Sequence, residues 1–110
     1  MSNEWVTVCQ EEDLVSGSGI CVLFGEQQIA IFHESKKGKL YAISNFDPIG
    51  EANVLSRGII GSIGDKTVVA SPLYKQHFCL ETGACLEDEN MCVSTYAVTL
   101  QDGEVMLKKH

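Results

Sequence analysis

Ser71-Pro72-Leu73-Tyr74-Lys75-Gln76-His77-Phe78-Cys79-Leu80-Glu81-Thr82-Gly83 is the stretch on which the reading of this chain turns. It follows the apolar run Thr67-Val68-Val69-Ala70 and ends in a glycine turn. Ser71-Pro72 opens a loop, because proline has no N–H to give to a sheet. His77 to Leu80 then reads as a short strand, which Glu81-Thr82-Gly83 reverses into Ala84-Cys85-Leu86. An earlier stretch, Asn45-Phe46-Asp47-Pro48-Ile49-Gly50, has the same character: a strand, a proline loop, a glycine. Two proline-containing loops, set in a chain of short strands, are the frame for everything else.

Outward from these loops, β-type segments recur with turn signals between them. Glu4 to Cys9, Ile20 to Phe24, Gln28 to His33 and Leu40 to Ile43 precede the first loop. Glu11 to Leu14 is long enough for one helical turn, and Asn45 to Arg57 reads as irregular. Ile59 to Ile63 and Lys66 to Ala70 flank Gly64-Asp65. A Gly-first pair suits a type II′ hairpin turn, whose first residue needs positive φ. Val93 to Leu100 reads as the longest strand, and Gln101-Asp102-Gly103-Glu104 turns it into Val105 to Leu107. Some ten short strands and almost no helical pattern predict an all-β antiparallel sandwich, a single domain over residues 1–110.

Composition narrows the function. With 45% hydrophobic residues a packed core is feasible. No apolar run approaches the roughly 20 residues that cross a bilayer. Met1-Ser2-Asn3-Glu4-Trp5 has no signal-type pattern, so the expected location is the cytoplasm. The net charge of -7, from 15 acidic and 8 basic residues, opposes nucleic acid and anionic membranes and suits solubility or a basic protein partner. Five cysteines without a Cys-x-x-Cys spacing argue for reduced thiols, not for a disulfide framework or a zinc ribbon. The three histidines are scattered, which gives no Ser/His/Asp or Cys/His set, and no phosphate-binding glycine loop occurs. No catalytic residue is assigned.

The two loops resemble those of Rieske iron–sulfur domains. There, Cys-Pro-His in one loop and Cys-Pro-x-His in the other hold a [2Fe–2S] cluster at the tips of two hairpins. Asn45 to Gly50 aligns with the first loop. Ser71 to Tyr74 and Phe78 to Gly83 align with the second, and Tyr96, Val98, Asp102-Gly103 and Val105 extend the similarity toward the end of the chain. The ligand positions are degenerate: Asp47 and Ser71 stand at the cysteines, Ile49 and Tyr74 at the histidines. Those four cannot bind the cluster as a set, so no metal is expected here.

Pro72-Leu73-Tyr74-Lys75, Phe78, Leu80-Glu81-Thr82-Gly83 and Cys85-Leu86-Glu87-Asp88 make the chain similar to one family: small subunits of assimilatory NAD(P)H-dependent nitrite reductase, Rieske-like domains without the cluster. The resemblance implies a non-catalytic subunit with no cofactor of its own. It also implies a large-subunit partner that carries the NAD(P)H site, FAD, a [4Fe–4S] cluster and sirohaem and reduces nitrite to ammonium. A Rieske-type ferredoxin and a stand-alone binding module on the same scaffold are the rival readings. If both loops form the domain tip, Asp47, Pro48, Pro72, Leu73, Tyr74 and Lys75 are the candidate docking surface. The alternative is that the loops pack on each other, with Tyr74 filling the vacated ligand space. A three-residue loop at Glu81-Thr82-Gly83 would set Cys79 opposite Cys85. That makes them a candidate redox-sensitive pair, against the plainer reading of two thiols packed in a core.

Overall fold

A computed structural model describes residues 5–34, 36, 38–73 and 75–108. The strands are β1 (Trp5–Gln10), β2 (Gly19–Phe24), β3 (Gln27–Glu34), β4 (Lys39–Ser44), β5 (Phe46–Asp47), β6 (Ala52–Asn53), β7 (Ile59–Ile63), β8 (Lys66–Ala70), β9 (His77–Cys79), β10 (Thr95–Tyr96), β11 (Val98–Gln101) and β12 (Glu104–Lys108). Helical backbone among the described residues is confined to 3-10 turns at Glu11–Asp13 and Leu55–Arg57. The first of these is the expected helical turn. All ladders between these strands are antiparallel.

Three sheets are stacked around β3 and β4. One has the order β1-β12-β11, a second β10-β4-β3-β2, and a third β7-β8-β9. The second sheet is covered on both faces. Ile29, Ile31 and Ala42 meet Val105 and Leu107 of the first sheet. Ala30, Phe32, Tyr41 and Ile43 meet Leu55, Val69, Phe78, Leu80 and Cys85 on the other side. Alternation sends neighbouring β3 residues to opposite faces, so a strand buried on both sides must be continuously apolar. Ile29-Ala30-Ile31-Phe32 meets that condition, with no residue more than 1% exposed. The sequence pattern predicts a sandwich; the third sheet is the layer it does not announce, and it carries the second proline loop between β8 and β9, while the first sits on the separate β5-β6 pair.

Three local expectations need correction. Val93 to Leu100 is not one strand. β10 pairs with β4 and β11 with β12, and Ala97 is where the chain changes sheet. Asn45 to Arg57 is not wholly irregular, since β5 and β6 form a small hairpin around Pro48 to Glu51. The β9 turn is longer than three residues. Phe78, not Cys79, lies opposite Cys85, and the Cys79 N–H bonds the Ala84 carbonyl (2.8 Å). The Gly64 turn agrees with expectation: Gly64 has φ +63° and Asp65 is not among the positive-φ residues, as a II′ turn requires.

Candidate functional site: two loops joined by an aspartate and a serine

The first loop is organised by a buried amide. Asn45 is 2% exposed. Its Oδ1 accepts from the Ser56 N–H (2.7 Å), its Nδ2 donates to Gln28 Oε1 (3.1 Å), and its N–H donates to the Gln28 carbonyl (2.9 Å). These bonds fix the point where the chain leaves β4. Asp47 follows at the turn of the β5–β6 hairpin, fully buried. Its Oδ1 accepts from the N–H groups of Ile49 (2.8 Å) and Gly50 (3.1 Å), an Asx turn built on the proline between them.

The other carboxylate oxygen crosses to the second loop. Ser71, also fully buried, donates its hydroxyl to Asp47 Oδ2 at 2.5 Å. The same hydroxyl oxygen accepts from the Leu73 N–H (3.3 Å). The Ser71 backbone closes its own loop, donating to the Gln76 carbonyl (2.9 Å) and accepting from Lys75 N–H (3.1 Å). A buried carboxylate is costly unless hydrogen-bonded, and three donors satisfy this one. Leu73 completes the contact: a Cβ added at Gly50 would come within 2.5 Å of Leu73 Cδ1, so glycine lets the Leu73 side chain lie against the first loop where a larger residue would displace it.

The predicted site residues therefore divide. Asp47 is no part of a docking surface, because burial against Ser71 removes it from solvent. Pro48 is half-buried, while Pro72, Leu73 and Lys75 are exposed. Ile49 is half-buried and packs against the core cluster that includes Leu55 and Phe78. Tyr74 lies outside the described residues. The loops do pack on each other, through Asp47–Ser71 and Gly50–Leu73.

Cys79 and Cys85 are both buried free thiols. With Cys85 opposite Phe78, one-residue alternation sends them to opposite faces of the turn, so they are not the cross-strand pair the sequence suggests. Burial pushes the Cys79 thiol up, but the Thr82 hydroxyl and the N–H groups of Thr82 and Glu81 outweigh it and bring the thiol below its ordinary value. Burial raises the exposed Cys21.

Two features escaped sequence reading. Asn45 carries no signal that separates a buried organiser from any loop asparagine. The second is a clamp beside the second loop: the Glu87 carboxylate accepts from the His77 N–H (2.8 Å) and lies 2.6 Å from His77 Nδ1. The His77 backbone N–H and its ring together hold the Glu87 carboxyl below the usual range, against a smaller upward push from burial. Glu87 reads in sequence as part of a solvated acidic run; only the fold brings it to a residue ten positions away.

A [2Fe–2S] cluster of the Rieske type needs two thiolates and two imidazoles. The described ligand positions offer a carboxylate whose oxygens already hold three donors, a hydroxyl bound to it, and an aliphatic side chain. No group of three or more His, Cys, Asp or Glu side chains suited to a metal occurs among the described residues. This donor set does not fit the cluster.

Comparison with known proteins identifies the family. Residues 4–108 match the model of the Rieske-like [2Fe–2S] domain. The chain is 43% identical over 106 residues to the nitrite reductase (NADH) small subunit of Salmonella typhimurium, covering 96% of this chain and 98% of that one. It is 36% identical over 104 residues to the nitrite reductase [NAD(P)H] large subunit of Klebsiella oxytoca, covering 94% of this chain but 11% of that protein. The solution structure of the nitrite reductase [NAD(P)H] small subunit of Erwinia carotovora superposes with a TM-score of 0.84 at 44% identity, over 99% of this chain and 84% of that one. The chain belongs to the Rieske-like [2Fe–2S] domain family and, within it, to the small subunits of NAD(P)H-dependent nitrite reductase.

Proposed function

We propose that this chain is a cytoplasmic, redox-silent subunit that docks on the large subunit of an NAD(P)H-dependent nitrite reductase and holds no cofactor itself. The observation that carries this is the Asp47–Ser71 hydrogen bond. It joins the two loops at the positions where a Rieske domain would place its cysteines. The hairpin tip keeps its shape, and electron transfer through this chain has no carrier. Reduction of nitrite to ammonium then rests on the FAD, [4Fe–4S] cluster and sirohaem expected in the partner. The Klebsiella relative supports that partner, since there a domain similar to this chain lies within a large-subunit polypeptide.

Docking runs through Pro72, Leu73 and Lys75, the exposed described residues of the second loop, together with the half-buried Pro48 of the first. Leu73 is 44% exposed on a closed, hydrogen-bonded loop, so it meets a partner with little ordering cost. The test is reconstitution. The isolated chain is expected to be colourless, free of iron and sulfide, and inactive toward nitrite and NAD(P)H. Mixed with the large subunit it is expected to form a stable complex and to support activity, and Leu73→Asp is expected to weaken that complex. A visible iron–sulfur spectrum in the isolated chain, or no complex at all, refutes the proposal.

A further inference from the structure

The strand that changes sheet at Ala97 leaves a notch behind it. β10 covers β4 only at Ala42 and Ile43, and β11 pairs on one side only, with β12. Between the uncovered start of β4 and the outer edge of β11 lies a cavity of about 570 Å³. Its apolar lining comes from Leu40, Tyr41, Val98 and Leu100, the last 41% exposed.

The hydrogen bonds fix which backbone groups face this notch. Ser44 N–H bonds the Ser94 carbonyl, so residues of Ser44's parity on β4 point toward β10. Leu40 shares that parity but lies beyond the end of β10. Lys108 N–H bonds the Ala97 carbonyl, so Thr99 points to β12, while Val98 and Leu100 point away from it. Three residues on two strand edges thus present N–H and C=O groups to one cavity. β11 is short, four residues, but otherwise undefended as an edge: Val98-Thr99-Leu100-Gln101 holds no charge and no proline, and its register is unbroken. β1, an edge of the same sheet, has a bulge between Thr7 and Cys9.

We infer that this notch takes an extended segment of the large subunit, which adds as a strand to β11 and places apolar side chains on Leu40 and Leu100. The inference rests on the docking reading above and adds a second contact, away from the loop tip. Charge selects the segment. The ionisable groups lining the cavity are His33, Lys39 and Tyr41, with no carboxylate in the lining; Glu81 lies 4.0 Å from the Lys39 ammonium, a loose and largely exposed pair that an incoming carboxylate can replace. An acidic residue at the β4 end of the segment complements them. The net charge of -7 disfavours a second copy as occupant, because two chains of the same net charge repel.

Amide exchange in the free chain and in the complex tests this directly. The Val98 and Leu100 amides are expected to exchange rapidly when free and to slow about 100-fold in the complex, while Thr99, bonded to β12, stays protected in both. Leu100→Pro removes an outward donor and spares the ladder bonds, and Leu100→Lys charges the edge. Leu100→Pro is expected to weaken binding about tenfold through the lost hydrogen bond, and Leu100→Lys about tenfold through the lost apolar contact. Leu23→Lys, at a site 69% exposed on β2, is expected to leave binding unchanged. Lys39→Glu is expected to weaken binding in low salt more than in high salt. Wild-type binding with unprotected Val98 and Leu100 amides, or with both Leu100 variants binding normally, overturns the notch and leaves the tip standing. Failure of the wild type to bind overturns both. A free chain that is dimeric, with the same two amides protected, assigns the notch to a second copy and overturns the inference.

Discussion

Cutting the bond between Asp47 and Ser71 should unlatch the tip, and the structure gives the size of the effect. Ser71→Ala removes one buried hydroxyl. Asp47 Oδ2 then loses its donor at 2.5 Å and Leu73 N–H its acceptor at 3.3 Å. A hydrogen bond to a charged group contributes about 1.5–3 kcal/mol, so a loss of about 2 kcal/mol is expected. Asp47→Ala leaves three donors unsatisfied, those of Ile49, Gly50 and Ser71. Ile49 and Gly50 are only half-buried, so water recovers part of that loss, and about 3–4 kcal/mol is expected. Asp47→Asn can still accept from Ile49 and Gly50 but no longer offers a charge to Ser71, and should fall near 1–2 kcal/mol. The double variant is the informative one. Because the two residues share a bond, it should cost less than the sum of the single variants by about 1.5 kcal/mol. Urea titration reads each value. In a domain of this size each kcal/mol also lowers Tm by about 4–8 °C. Additivity within about 0.5 kcal/mol would refute the claim that this pair latches the loops.

Other expectations follow from single contacts. Gly83 has φ +82°, and a Cβ there would lie 2.1 Å from the Val93 carbonyl oxygen, whereas Gly103 has φ +81° and open space. Gly83→Ala should therefore cost about 3 kcal/mol and Gly103→Ala only about 1, measured by the same titration. Glu87 has its carboxyl held below the usual range by His77, so its contribution to stability is present above the ordinary carboxylate pKa near 4.5 and is lost as pH falls through the lower folded value. Glu87→Gln should thus lower stability at neutral pH and flatten the acid limb of the stability profile as pH falls below the ordinary carboxylate range. Thiol labelling followed by mass spectrometry should find Cys21 and Cys92 modified first, as the exposed thiols, with Cys79 and Cys85 modified only on unfolding. A Cys79–Cys85 disulfide as the main product of mild oxidation of the folded chain would contradict the register at Phe78 and Cys85.

What could be read in the sequence was local, and what could not was long-range. Gly64-Asp65 specified its turn because positive φ at the first position is a property of glycine itself. Ile29 to Phe32 announced a buried strand, but a continuous apolar run does not say how many sheets cover it. The division at Ala97 was hidden because both halves have strand-like composition, and only their partners differ. Cys79 and Cys85 were set opposite each other by assuming a three-residue loop. The real turn is held by Gly83 N–H bonding the Cys79 carbonyl (2.7 Å), which shifts the register by one residue and reverses the face. At the site, Asp47, Ile49 and Ser71 were legible as replaced ligands, because proline and glycine around them fix the loop. The bond between Asp47 and Ser71 was not legible, since 24 residues separate them and either could have faced water.

A cluster held by two loops does two jobs: it carries an electron, and it cross-links the loops that ligate it. Losing the ligands without compensation would leave the hairpin tips tied by little more than Leu73 against Gly50, and the prolines alone would not hold them together. In this chain the two cysteine positions have become a donor and an acceptor that bond each other, and the first histidine position has become an isoleucine packed against the core. Those substitutions keep the mechanical link between the loops with a donor set that does not fit the cluster. They also change what the tip can present. A cluster-binding tip is expected to keep its histidines near the surface for electron exchange, whereas here the packing of Ile49 against the core leaves Pro72, Leu73 and Lys75 as the exposed groups of the described second loop. A surface of that composition, stiff and partly apolar, suits a lasting contact with one partner better than repeated encounters with several. On the function proposed above, the missing cluster ligands and the docking surface arise from one and the same set of side-chain changes.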